Sequence, residues 1–234
     1  SSSIYYNKLK YFYEQGYNFS EIYIFLDTSD IFDEIYRYQS DPEDRVSYHF
    51  TNDQINNLLG DKKRLLKNIH GKFPGTFFLI GSIINLLPDF IFFENYFFDL
   101  MVNHSYGEWL YGQNNLYSEK DISNSLRKNS HYLEKIIKMA NKNNSKITFV
   151  LYPWPGHLHK EKFDNKYNQY WTRFLKTKNV DLINLNHNFF DLLKKNSSRE
   201  VILKYFIKGD VHFNTQGHKY IFEIIDKSFS RITK

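Results

Sequence analysis

Three short apolar runs, each separated from the next by helical patterns, constrain the fold of this chain most strongly. The runs lie within EIYIFLDTSD (21–30), SKITFVLYPWP (145–155) and VDLINLN (180–186). A nearly continuous run of branched and aromatic residues is typical of a strand that is buried on both faces of a parallel sheet. Because helical segments alternate with these runs, the sequence predicts an α/β domain with a parallel sheet.

The helical segments have recognisable ends. The first, IYYNKLKYFYEQGYN, ends at Gly16, and the longest has Ser118 as its predicted N-cap with Asp121 three residues later. The last is TQGHKYIFEIIDKSFSRI. Residues 41–117 show only short helical patches with Pro and Gly breaks, which predicts a mainly helical insertion. We therefore expect residues 1–234 to form a single domain that carries this insertion.

Composition excludes several classes of function. The chain has no cysteine, so disulfides, thiolate nucleophiles and cysteine-bound zinc are excluded. Its 31 basic and 26 acidic side chains are interspersed, and no nucleic-acid motif is present, so we expect a solvated surface and no nucleic-acid partner. With 41% hydrophobic residues the chain is too apolar to be disordered.

One segment, residues 75–98, is apolar enough to consider a membrane. Pro88 and Asp89 interrupt it. The uninterrupted part is about 13 residues, short of the roughly 20 that a spanning helix needs. The pattern favours a buried or lid-like helix, with contact to a membrane surface as the second interpretation and a spanning helix as the third.

Polar and aromatic residues follow all three runs, as DTSD (27–30), YPWPGH (152–157) and NLNHN (184–188). Asp27, Ser29 and Asp30 come directly after the first, and Tyr152 and Trp154 come after the second. The carboxyl ends of parallel strands form the ligand edge of such a sheet. Ser29 and Asp30 are candidate oxyanion groups and Asp27 a candidate substrate contact, although an Asx or Ser turn explains the same residues. The two aromatic side chains either line a sugar or acyl site or pack in the core.

Metal sites are weakly supported. The acids Asp27, Asp30, Asp33 and Glu34 cluster, but no calcium-loop pattern is present. His157 and His159 alternate on a loop without an evident third ligand, so we expect surface histidines. We predict no metal and no cofactor. A metal-dependent hydrolase that uses Asp27, Asp30, His157 and His212 remains the weakest alternative.

Near the end of the chain, Asp210 and His212 stand two residues apart in GDVHFNTQGH. A histidine that activates a hydroxyl nucleophile needs a carboxylate to hold its tautomer and to stabilise the imidazolium. The alternative is that Asp210 caps the last helix and His212 is an ordinary surface residue. Asn214 and Thr215 are better placed as caps, because they adjoin the helix start.

Taken together, IFLDTSD, ITFVLYPWP, INL and GDVHFNTQGH occur in an order that resembles the SGNH/GDSL hydrolase superfamily. The resemblance covers most of the chain apart from residues 41–117. It implies a flavodoxin-like three-layer α/β/α fold and a Ser-His-Asp mechanism without metal. His212 would be the base, Asp210 its partner and Ser29 an oxyanion group, with Asn214 beside the substrate.

Three features depart from the family pattern. Asp210 precedes His212 by two residues where the family has three, and DTSD stands where the family has Gly-x-Asn-Asp. The Gly-Asp-Ser block is not in the sequence. Because the segment after Ser1–Ser3 is similar to the region that follows the family's glycine block, we expect the nucleophile upstream of this chain and not on those three serines.

The resemblance implies an ester hydrolase or an O-acyltransferase that acts on an acylated carbohydrate or lipid. It also favours an extracytoplasmic or membrane-anchored location, and it implies that residues 1–234 alone are inactive. The alternative is a non-catalytic SGNH-like module that binds carbohydrate.

Overall fold

The structure is a computed structural model and describes residues 1–41, 43–48, 91–111 and 117–232. Its strands are β1 (Glu21–Leu26), β2 (Tyr38–Ser40), β3 (Val46–Tyr48), β4 (Lys146–Leu151) and β5 (Asp181–Asn184). The helices are α1 (Ser2–Glu14), α2 (Asp30–Phe32), α3 (Ile91–Val102), α4 (Glu119–Lys142), α5 (Pro155–His159), α6 (Lys166–Lys178), α7 (Asn186–Leu193), α8 (Ser198–Tyr205) and α9 (Thr215–Ile232). A π-helical turn (Asp33–Arg37) follows α2, and a 3₁₀ helix (Ser105–Tyr111) follows α3. Much of the expected insertion, residues 41–117, lies outside the described residues.

The three predicted strands form one parallel sheet in the order β1-β4-β5. Glu21 lies opposite Lys146, and Thr148 lies opposite Asp181. The prediction of an α/β domain with a parallel sheet is therefore confirmed. Strands β2 and β3 form a separate antiparallel pair.

Helices pack on both faces of the sheet. Phe149 and Val150, neighbours on β4, are both fully buried and belong to different hydrophobic clusters. The cluster around Phe149 includes side chains of α1, α4 and α6, namely Leu9, Leu133 and Trp171. The cluster around Val150 includes side chains of α3, α5, α7 and α8, namely Met101, Leu158, Phe189 and Ile202. Burial on both faces explains why β4 lacks the alternation of a half-exposed strand.

The predicted helix ends are confirmed. The Ser118 hydroxyl accepts a hydrogen bond from the Asp121 N–H at 3.1 Å, and the Asp121 carboxylate accepts one from the Ser118 N–H at 3.2 Å. This reciprocal pair begins α4 as a capping box. After α1, Gly16 takes φ +83°, a left-handed conformation that glycine adopts without steric cost.

The apolar segment 75–98 is described only from residue 91 onward, where it forms the first part of α3. There Phe98 is buried, followed on the same helix by Met101 and Val102. Within the described ranges, no helix has the length and apolar character needed to cross a membrane. Contact of this segment with a membrane surface stays a prediction.

Candidate functional site

Residues 27–30, here called the acidic loop, turn the chain sharply at the carboxyl end of β1. The Asp27 carboxylate accepts hydrogen bonds from the Ser29 N–H at 2.7 Å and from the Ser29 hydroxyl at 2.6 Å. This is the Asx-turn alternative, in which a side-chain carboxylate stands in for a backbone acceptor. Ser29 must release Asp27 before its hydroxyl can donate to a substrate, so its oxyanion role stays a prediction.

Asp30, the last residue of this loop, is buried, with 3% of its surface exposed. Its carboxylate accepts hydrogen bonds from the Tyr5 hydroxyl at 3.0 Å and from the Asp27 N–H at 3.2 Å. The Ser1 amino group lies 2.5 Å away. Burial raises the pKa of Asp30 to about 6, although the Ser1 charge opposes this, and the nearby Asp27 carboxylate raises it further. Asp30 therefore faces protein donors, and burial favours its neutral form.

Three tyrosines surround the acidic loop, and sequence reasoning found only Tyr152. The Tyr152 hydroxyl donates to the Asp27 carboxylate, and the Tyr167 hydroxyl donates to the Asp27 carbonyl at 2.6 Å. Burial raises the pKa of both, so each remains a neutral donor. Tyr5 and Tyr167 lie within helices, where nothing in the sequence separates them from the other tyrosines among the chain's 19.

The N-terminal serines lie near the same loop. The Ser1 hydroxyl donates to the Glu34 carboxylate at 2.5 Å and lies 2.8 Å from the Ser3 hydroxyl. Lys128 Nζ lies 2.7 Å from the other Glu34 oxygen. Across the described ranges, no serine hydroxyl is hydrogen-bonded to His212. Ser1 and Ser3 therefore belong to a buried polar network. Neither hydroxyl is hydrogen-bonded to His212, which would have to act as its base.

Tyr152 and Trp154, the two aromatic residues that follow β4, lie in different environments. Trp154 is 3% exposed, and its ring lies edge-on to His104 with centroids 5.3 Å apart. The core-packing alternative is therefore confirmed for Trp154. Tyr152 lies between the rings of Phe25 and Phe213, with centroid distances of 6.3 and 5.4 Å.

The expectation of a surface histidine is wrong for His157. It is 1% exposed, and its Nδ1 accepts a hydrogen bond from the Trp154 N–H at 3.2 Å. Helix α5 follows the end of β4 after three intervening residues and packs against both α3 and α8, which carries His157 into the interior. Burial lowers its pKa to about 3. His159 is exposed as expected, and among the described residues no three metal-ligating side chains converge.

Asp210 and His212 form a hydrogen-bonded pair. Nδ1 of His212 lies 2.6 Å from Oδ1 of Asp210, and the same oxygen accepts the N–H groups of Val211 at 2.6 Å and of His212 at 3.2 Å. Partial burial favours a higher pKa for Asp210, but the hydrogen bonds from His212 and Val211 outweigh it and hold the pKa below its ordinary value. A spacing of two residues is therefore enough to bring the carboxylate to the imidazole.

The pair sits on a tight loop, residues 207–214, here called the dyad loop. The Ile207 N–H donates to the His212 carbonyl at 2.9 Å, and the Asp210 N–H donates to the Ile207 carbonyl at 3.0 Å. Gly209 takes φ +80°, and a Cβ there would lie 2.8 Å from Phe97. The loop is thus closed by its own backbone, while the side chain of His212 is 71% exposed.

Asn214 braces the end of the dyad loop. Its side-chain amide donates to the carbonyls of Lys204 and Phe206, each at 3.0 Å, and its side-chain oxygen accepts the Gly217 N–H at 3.0 Å. The capping role expected of Asn214 is confirmed. These backbone contacts occupy its amide, and its proposed contact with substrate stays a prediction.

Tyr152 connects the two loops. Its hydroxyl bonds Asp27 of the acidic loop, while its ring packs against Phe213 of the dyad loop. Phe213 is anchored in turn by Phe206 and Phe189, with ring centroids 4.6 and 5.4 Å away. The structure therefore brings both predicted loops to the carboxyl end of the sheet.

No protein-family model, curated protein or solved structure matches this chain.

Proposed function

We propose that this chain is the acid–base portion of a serine-dependent ester hydrolase or O-acyltransferase with an SGNH-like fold. The observation that carries the proposal is the 2.6 Å contact between Asp210 and Nδ1 of His212. A carboxylate on Nδ1 leaves Nε2 as the acceptor, which is the form that takes a proton from a nucleophilic hydroxyl. The parallel sheet with helices on both faces supports a three-layer, flavodoxin-like architecture.

In this mechanism, a serine outside residues 1–234 attacks the ester carbonyl while Nε2 of His212 takes its proton. His212 then returns the proton to the leaving alcohol as the acyl-serine forms. Water as the second acceptor completes hydrolysis, and a sugar hydroxyl completes acyl transfer. Asp210 stays ionised throughout and stabilises the imidazolium. An acylated carbohydrate or lipid is the proposed substrate class.

The decisive experiment uses the protein encoded by the complete reading frame. A fluorophosphonate probe should label one serine outside residues 1–234, and His212→Ala should reduce p-nitrophenyl acetate turnover by about 10³-fold or more. His159→Ala, which removes another exposed histidine, is the matched control and should retain activity. Full activity in the His212→Ala protein would rule out the dyad as the catalytic base.

A non-catalytic module is the second candidate, and one contact favours it. The Ser29 hydroxyl donates its hydrogen bond to Asp27 of the same loop, so it is not free to donate to an oxyanion. If the module interpretation holds, the complete protein binds glycan without turnover, and neither His212→Ala nor Asp210→Asn changes that binding.

A further inference from the structure

A second polar cleft lies at the carboxyl end of β5, between α6 and α7. It has a volume of about 280 Å³. Its lining includes Asp164, Asn168, Thr172, Arg173, Asn184 and His187. The carboxyl ends of parallel strands are where ligands bind in open α/β sheets. This cleft is here called the β5 cleft.

A buried asparagine network orients the cleft. Asn186 is fully buried, and its side-chain amide donates to Oδ1 of Asn184 at 2.8 Å and to Oδ1 of Asn168 at 3.1 Å. The backbone N–H of Asn186 donates to the same Asn184 oxygen at 3.1 Å. Because a backbone N–H can only donate, it fixes which end of the Asn184 amide is oxygen. The NH₂ group of Asn184 is therefore directed away from the network.

The other side chains of the cleft include a hydrogen-bond donor, an acceptor and an aromatic surface. In the described part of the chain, the Arg173 guanidinium and the Asp164 carboxylate make no ion pair. Arg173 donates hydrogen bonds only, whereas Asp164 accepts them. The His187 ring packs against Phe163 with centroids 4.8 Å apart, which gives the cleft an aromatic wall. A ligand that satisfies this set must accept from Asn184 and Arg173 and donate to Asp164.

We propose that the β5 cleft binds one ring of a neutral sugar. Vicinal hydroxyls both donate and accept, and the apolar face of a pyranose packs against aromatic rings. An anionic ligand would pair with Arg173 but would also lie beside the Asp164 carboxylate, whereas neutral hydroxyls accept from the one and donate to the other. The two hydrogen bonds that Asn184 accepts from Asn186 hold its amide in one orientation at the cleft wall. The proposal does not rest on the dyad, because none of the cleft residues belongs to the acidic loop or the dyad loop.

The test is a titration of the 234-residue chain, labelled with ¹⁵N, with methyl glycosides of neutral hexoses and with glucuronic acid. We expect millimolar binding of a neutral glycoside, with amide shifts concentrated at residues 164–173 and 184–187. Asn184→Asp keeps the oxygen that Asn186 needs and removes the NH₂ donors, so affinity should fall at least about tenfold. Arg173→Gln should also weaken binding, and it provides a second variant if Asn184→Asp does not fold.

The matched control is Asn196→Asp, which changes an exposed amide beyond the end of α7 and should leave affinity unchanged. Three results would overturn the proposal: no shifts at the cleft with any neutral glycoside, binding of glucuronic acid alone, or unchanged affinity in both cleft variants.

Discussion

The carbonyl oxygen of Tyr205 lies 2.2 Å from the position that a Cβ on Gly217 would occupy. No side chain fits in that space, because real Cβ atoms do not approach backbone oxygens so closely. Phe213 crowds the same position at 2.9 Å. Gly217 therefore allows the first turn of α9 to lie directly against the end of α8, and this contact sets where the dyad loop begins and ends.

Gly217→Ala should destabilise the protein, by up to about 2 kcal/mol. Alanine normally favours a helix by about 1 kcal/mol over glycine, but here the methyl group must displace backbone, and overpacking of this kind costs about 1–3 kcal/mol. Urea denaturation of both proteins measures the difference. Gly16→Ala is the comparison: its Cβ meets nothing within 4 Å, so only the cost of φ +83° applies there. An unchanged midpoint for Gly217→Ala would contradict the observed packing.

Asp210→Asn should change the tautomer of His212 with little effect on stability. Both side chains are substantially exposed, so the pair contributes less than about 1 kcal/mol to folding. With the carboxylate present, the neutral imidazole carries its proton on Nδ1; with an amide, that preference weakens. Long-range ¹H–¹⁵N NMR of the imidazole reports the two forms directly. An Nε2-protonated imidazole in the unmodified chain would show that the dyad is not assembled as described.

Asp30 should make the protein less stable as the pH rises from about 4 to about 6. Its pKa in the folded protein is about 6, above the ordinary value of 3.8, so in this interval the folded state holds a proton that the unfolded chain has lost. The free energy of unfolding then falls by about 2 kcal/mol as pH rises through the interval. Asp30→Asn should remove this loss. Denaturation measured at pH 4 and pH 7 tests it, and an equal pH dependence in both proteins would count against a raised pKa.

His157 should make the protein less stable as the pH falls below about 6.5. Its pKa of about 3 lies below the ordinary 6.5, so below pH 6.5 the unfolded chain takes up a proton that the folded protein does not. The free energy of unfolding should fall as the pH drops, by about 2 kcal/mol at pH 5. His157→Asn, which keeps an acceptor for the Trp154 N–H, should lose this acid sensitivity in urea melts at pH 5 and pH 7. His159→Asn is the control, since His159 is exposed.

Because the effects of Asp30 and His157 oppose each other between about pH 4 and pH 6, the unmodified protein should show a flatter pH profile than either variant. The two single substitutions are needed to separate the contributions.

Local features of the sequence were sufficient for much of the fold. The apolar runs identified all three strands of the parallel sheet, since a strand buried on both faces has few polar positions. Ser118 with Asp121 identified the start of α4, and Asn214 identified the start of α9, since these caps bond groups only a few residues away. The closeness of Asp210 and His212 was also predictable, because two residues on one loop are neighbours whatever surrounds them.

Contacts between distant parts of the chain were decided by the tertiary structure. Tyr5 lies 25 positions from its partner Asp30 along the chain, and Tyr167 lies 140 positions from Asp27. No local sequence pattern distinguishes these two tyrosines. His157 was expected at the surface, yet α5 packs it into the interior. The sequence by itself determined the three strands of the parallel sheet, the helix ends and the adjacency of the dyad, because these depend on short-range periodicity and hydrogen bonding. The burial of Asp30 and His157 depended on which distant elements pack together. Because burial shifts both pKa values, these also depended on the tertiary structure.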